Sequence, residues 1–163
     1  MQKYLNNKNF YILILLLSII TLVSAVYVEY VIGAQPCILC KYQRAPYVLS
    51  IFFCFFGYYN QENKIWIYLL MATFLVSFFI SGYHVGIENN IFPEFSGCSA
   101  DNLKVFDKDT LIKSLSEIPP NCKDVNFRII GLSLATINVL ISIIIIIISF
   151  ILINYEKNRQ KIN

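Results

Sequence analysis

The chain has 163 residues, 57% of them hydrophobic and 14% charged, with a net charge of +3. Soluble domains average about 45–50% apolar and about 25% charged residues, so an ordinary water-soluble core is excluded and lipid is the expected surrounding of the apolar blocks. The length fits a single domain, residues 1–163, and the scattered basic residues form no stripe for nucleic acid, so no nucleic-acid partner is expected.

Four uncharged stretches follow one another at 10–28, 45–59, 65–87 and 129–153. A helix crossing a bilayer needs about 20 residues, with a range of about 17–25. The first, third and fourth stretches meet that length. The second has 15 residues; it spans if Arg44 and Tyr58–Tyr59 snorkel to the interfaces, and is otherwise re-entrant or interfacial. The first stretch follows Lys3 and Lys8 and ends in Val23-Ser24-Ala25, which resembles a signal peptide with its cleavage site. It exceeds the usual signal core of about 7–15 residues, so a retained helix is expected.

Four spans place both termini on one side. The segments there, 1–9, 60–64 and 154–163, hold six basic residues in 24; the opposite segments, 29–44 and 88–128, hold seven in 57. The higher density marks the terminal side as cytoplasmic. Both cysteine-bearing loops then face outward, in a bacterium into the periplasm, where disulfides persist. Within the long second loop, Leu111, Leu115 and Ile118 of "DKDTLIKSLSEI" share one helical face, Asp107 or Asp109 can cap its start, and Pro119-Pro120 ends it. The expected fold is an all-α four-helix transmembrane bundle with two outer loops, the second carrying a short amphipathic helix.

The first loop reads "QPCILCKYQRAPY", with Cys37 and Cys40 two residues apart and Arg44 four further on. The second loop holds Cys98 and Cys122. Three readings compete. Four cysteines could bind zinc, but only one pair has ligand spacing, and an oxidising compartment competes for the thiols, so no metal is expected. Two disulfides could staple the outer loops of a non-catalytic membrane protein. A Cys-x-x-Cys pair is also the arrangement of thiol–disulfide oxidoreductases, often with one depressed thiol pKa. If Cys40 already lies on the helix leading into the second span, Arg44 shares its face and favours its thiolate; Pro46 leaves that geometry open, and Arg44 could instead be an interfacial anchor. A pair at the mouth of an apolar bundle can reach a lipid-soluble acceptor such as a quinone, while a pair in a long loop can reach a soluble thiol protein. The single histidine, His84, closes the third span in "SGYHVGIE". It could serve a quinone by hydrogen bond or proton relay, or simply bond a neighbour, with Glu88 as a possible partner. Cys54, in mid-span, reads as a small buried hydrophobe.

"PCILCKYQRAPY", "YHVGIE", "GCS", "NCKDVNFRIIGLSLATIN" and the four-span order closely resemble the disulfide bond formation protein B (DsbB) family, over about residues 10–153. The resemblance implies a bacterial inner-membrane, multi-pass thiol:quinone oxidoreductase. Such an enzyme reoxidises the periplasmic thiol oxidase DsbA and passes the electrons to ubiquinone or menaquinone. It further implies that Cys98 is the cysteine attacked by DsbA and that Cys122 is its partner, able to cross to Cys37. Cys40 would face the quinone, with Arg44 beside that quinone and His84 near its pocket. Lys41, where the family often has an apolar residue, and Phe127, where many members have tryptophan, depart from the pattern without removing a reacting atom. The vitamin K epoxide reductase family is also four-helical and quinone-linked, but its Cys-x-x-Cys pair follows the loop pair in the chain, the reverse of the order here.

Overall fold

A computed structural model describes residues 7–61, 63–94, 122–123, 128–129 and 131–162. Helix α1 spans Asn7–Tyr30 and runs unbroken through Val23-Ser24-Ala25. A turn with Gly33 at φ 77° leads to the five-residue α2, Ile38–Tyr42. Helix α3 spans Ala45–Tyr59 and α4 spans Ile65–Glu88. A two-stranded antiparallel hairpin follows later in the chain, β1 at Arg128–Ile129 and β2 at Leu132–Ser133, with Arg128 opposite Ser133. Gly131 at its turn has φ 81°, a conformation that a Cβ disfavours. Helix α5, Leu134–Ile162, completes the described chain.

Among the described residues, α1, α4 and residues 134–155 of α5 are long and apolar enough to cross a membrane. Helix α3 has 15 residues, about 22 Å of rise, and packs between α1 and α4, while α4 packs on α5. The core between them is built from Tyr11, Ile14, Tyr47, Leu70, Phe74, Ile145 and Leu152. Large apolar side chains such as Leu13, Ile20, Phe79, Ile144 and Phe150 point outward. That inversion suits hydrocarbon rather than water as the solvent.

Helices in lipid gain little from the hydrophobic effect between them and rely on close approach and polar contacts. Serines supply both here. Ser18 of α1 meets Ser50 of α3 with 2.7 Å between hydroxyl oxygens, and Ser142 of α5 donates to Ser77 of α4 at 3.2 Å. All four are fully buried.

The structure moves the start of the fourth apolar segment. Expected from residue 129, the helix begins at Leu134. The hairpin occupies the preceding residues, and the Ser133 hydroxyl caps the helix by accepting the Thr136 N–H at 3.1 Å. The first loop is also more ordered than expected, because it contains α2. The amphipathic helix expected at 107–118 lies outside the described residues, as do Cys98 and Phe127.

Close approach of α1 and α3 depends on Gly57, where a Cβ would sit 2.5 Å from Cε1 of the buried Tyr11 ring. Gly57→Ala is expected to lower the thermal midpoint of the detergent-solubilised protein, at a cost of about 1–3 kcal/mol. Combining it with Tyr11→Leu should recover part of that loss relative to Tyr11→Leu alone. A midpoint for Gly57→Ala equal to that of the parent would mean the two helices have room to part.

Candidate active site

Loop one, the start of α3, the end of α4, Cys122 and the start of α5 meet at one end of the bundle. The local reason is a helix that stops and restarts. Helix α2 ends at Tyr42, Gln43 and Arg44 form a turn, and α3 begins at Ala45 with Pro46 in its first turn. Proline lacks an N–H and is tolerated there, whereas inside a continuous helix it would remove a bond and clash. Cys40 therefore sits on α2, and Arg44 in the turn that leads into α3. The Arg44 guanidinium Nη1 donates to Glu29 Oε2 at the end of α1, at 2.5 Å.

Cys37 caps α2: its sulfur accepts the Cys40 backbone N–H at 3.3 Å. The two sulfurs of the pair lie 2.8 Å apart, so one thiol proton is shared between them. Nε2 of His84 lies 3.7 Å from the Cys37 sulfur, and Nδ1 of the same ring is 3.1 Å from the Gln43 side-chain amide. Gln43 donating to Nδ1 leaves the ring proton on Nε2, aimed at Cys37. Glu88 approaches the same Nε2 at 3.8 Å.

These contacts decide which thiol ionises. A Cys40 thiol donating to the Cys37 sulfur, with a further hydrogen bond from His84, outweighs burial and lowers the Cys37 pKa to about 4. Cys40 shifts the other way, because its proton is held by Cys37, its surroundings are dry, and a second thiolate beside the first is repelled. The contacts of Cys40 and His84 thus favour the thiolate on Cys37, whereas Arg44 was expected to favour it on Cys40.

Cys122 is disulfide-bonded and buried, and it packs with Cys37, Leu39 and Ile87. The sulfurs of Cys37 and Cys122 and a ring nitrogen of His84 lie within 4.8 Å of one another. That trio has metal-like proximity, but the Cys122 sulfur is committed to its disulfide. Next to Cys122, Lys123 pairs with Glu94 at 3.4 Å, which ties this turn to the segment following α4.

The sulfurs open onto a cavity of about 320 Å³ between the helices. Its wall is mostly apolar, with Leu22, Ala25, Val28, Ala135 and Ile141 among its residues; Cys37, Cys40, Arg44 and His84 line it as well. Two buried donors on this wall, Arg44 Nε and Asn138 Nδ2, have no partner among the described residues. Five of the six site residues expected from sequence thus come together or lie on one cavity: Cys37, Cys40, Cys122, Arg44 and His84. The sixth, Cys98, lies outside the described residues. Sequence reasoning missed Gln43, Glu29 and Asn138. Asn138 could have been flagged, as a carboxamide inside an otherwise apolar span; the partnership of Glu29 with Arg44 depends on how α1 and α3 pack.

The family model described as "Disulfide bond formation protein DsbB" matches residues 7–152. Named relatives agree with it. The chain is 25% identical over 150 residues to disulfide bond formation protein B of Xylella fastidiosa (strain Temecula1), covering 86% of this chain and 85% of that one. It is 31% identical over 100 residues to disulfide bond formation protein B of Ralstonia nicotianae, covering 61% of each. An uncharacterized Rickettsia prowazekii protein is 28% identical over 154 residues, covering 91% of this chain and 89% of its own.

With the Cys37–Cys40 pair reduced, the ultraviolet absorbance of the Cys37 thiolate should persist as the pH falls and collapse only near pH 4. A depressed pKa means that the charged form survives to lower pH. Cys40→Ala removes the largest stabilising donor and His84→Phe the next, so both should move the half-point upward. A half-point near the ordinary thiol value of 9.0 in the parent protein would contradict the assignment.

Proposed function

The chain belongs to the disulfide bond formation protein B family, and from that premise and the site geometry we propose that it is an inner-membrane thiol:quinone oxidoreductase that regenerates a DsbA-like periplasmic thiol oxidase. Membership makes it a membrane oxidoreductase of disulfide bond formation. The finer reading is carried by one observation: the Cys37 sulfur, 2.8 Å from that of Cys40, lies within 4.8 Å of the sulfur of disulfide-bonded Cys122 at the mouth of an apolar cavity.

In this reading α3 is a fourth span, the termini are cytoplasmic, and both cysteine loops face the periplasm. Reduced DsbA attacks the Cys98–Cys122 disulfide at Cys98. DsbA leaves oxidised, and Cys98 and Cys122 are left as thiols. The Cys122 thiolate then attacks Cys37 of an oxidised Cys37–Cys40 pair; a Cys37–Cys122 bond forms and Cys40 is released. Attack of Cys98 on Cys122 restores the loop disulfide and releases Cys37. The net result is transfer of two electrons from DsbA to the Cys37–Cys40 pair. A low-pKa thiol is the better leaving group, so the environment of Cys37 favours this last release.

The cavity suits an apolar ring with carbonyl acceptors: its wall is mostly apolar, and Arg44, whose Nε has no partner among the described residues, is part of that wall. Ubiquinone or menaquinone, when bound, supplies a lipid-soluble acceptor of two electrons and two protons. Arg44, fixed by Glu29, would orient that ring next to the cysteine pair. His84 holds charge on Cys37 and excludes water from it, a role on the sulfur rather than directly on the quinone.

Purified protein mixed with excess reduced DsbA and a water-soluble quinone tests the scheme. The parent should consume quinone continuously. Cys40→Ser should oxidise about one equivalent of DsbA through the loop disulfide and then stop, with no quinol formed. Sustained turnover by that variant would sink the proposal.

A further inference from the structure

Asn138 sits one turn into α5 and is 6% exposed. Its side-chain oxygen is fully engaged. Tyr47 Oη, on α3, donates to Oδ1 at 2.5 Å, and Ser77 Oγ, on α4, donates to the same atom at 3.4 Å. Ser142 in turn donates to Ser77, so the donors run in one direction, from Ser142 to Ser77 to Asn138. Two donors on the oxygen fix the orientation of the carboxamide and leave Nδ2 as its outward group. That nitrogen is buried, has no partner among the described residues, and belongs to a residue on the cavity wall.

An unpaired amide donor in an apolar interior is costly, and within a membrane no bulk water is at hand to satisfy it. Polar groups held in such places are functional by default. The protein nonetheless uses three hydroxyl-bearing residues from three helices to hold the oxygen of this amide, and leaves the nitrogen of a cavity-lining residue unpaired. Arg44 Nε is the other buried donor without a partner on the same wall, and it comes from a different helix. Two unpaired donors on two residues that line one apolar cavity match a flat ring with two carbonyl oxygens better than a ligand with one acceptor.

We propose that Asn138 donates a hydrogen bond from Nδ2 to one carbonyl oxygen of the quinone, with Arg44 serving the other, and that Tyr47 is the positioning residue that keeps the amide turned toward the ring. This deepens the proposed function and rests on it. The interaction is formed before any electron moves, so it contributes to quinone binding rather than to thiol exchange. A neutral hydrogen bond of ordinary strength corresponds to roughly three- to tenfold in affinity.

The test is isotope-edited infrared spectroscopy of a quinone labelled with ¹³C at one carbonyl or the other and bound to the purified full-length protein, alongside quinone KM and kcat. In the parent, both carbonyl bands should lie below those of the free quinone. Asn138→Leu should return one band to the free position, leave the other lowered, and raise KM roughly three- to tenfold with a smaller effect on kcat. Tyr47→Phe keeps every atom of the amide and reads the same interaction if Asn138→Leu does not fold. It should weaken the shift of that same carbonyl and leave the Arg44-facing one intact. Unchanged bands in a folded Asn138→Leu, or in Tyr47→Phe where Asn138→Leu does not fold, would overturn the role of Asn138 while leaving the quinone reading in place. Absence of any bound-quinone band in the parent would overturn both.

Discussion

A thiolate placed at the end of an apolar bundle must receive its hydrogen bonds from the protein, because lipid offers none and buried positions hold little water. The rest of the site follows from meeting that demand at Cys37. The Cys40 thiol, the Cys40 backbone N–H and the His84 ring all converge on one sulfur. Each of these contacts needs something further. The α2 turn must bring the Cys40 N–H back onto Cys37, and Gln43 must hold the His84 ring. The end of α4 must lie against loop one, as the packing of Ile87 with Cys37 and Leu39 shows.

The break between α2 and α3 is what makes this convergence possible. In a continuous helix, Cys40, Arg44 and Pro46 would have shared one axis, and the arginine would have lain a turn from the second sulfur. Restarting the helix at Ala45 turns Gln43 inward to His84 and sends Arg44 to Glu29. The cation is then held by a carboxylate rather than by a sulfur, and its Nε remains on the cavity wall. The asymmetry between the two thiols thus comes from short hydrogen bonds around Cys37, which salt screens far less than it would an exposed arginine.

Much of this was legible in the sequence because it is written in spacing and composition. The long apolar blocks showed where helices could cross a membrane, the Cys-x-x-Cys pair marked the candidate site, and "YHVGIE" placed His84 and Glu88 one turn apart, where the structure finds them 3.8 Å from each other. The start of α5 was misplaced because Arg128–Ser133 is apolar enough to read as helix; Gly131 and the capping Ser133 were the local signs of a hairpin. The charge on Cys37 rather than Cys40 could not be read from the chain. It depends on the helix break and on the approach of α4 from 47 residues away. Glu29 and Gln43 are ordinary loop-edge residues until tertiary packing gives them partners.

The opposed thiol pKa values divide the work within the pair. Cys37, which holds its charge to low pH, is the sulfur suited to exchange with Cys122: as a thiolate it lies close to that disulfide, and as a leaving group it departs readily. Cys40 keeps its proton, because releasing it would place two negative charges 2.8 Å apart. Closing the Cys37–Cys40 disulfide removes that conflict, since the electron pair that would have charged the second sulfur leaves with the proton of Cys40. A pair built this way resists losing a proton alone and favours losing a proton together with electrons. Such a pair gives a two-electron, two-proton acceptor both electrons and one proton, and the second proton has to come from another donor.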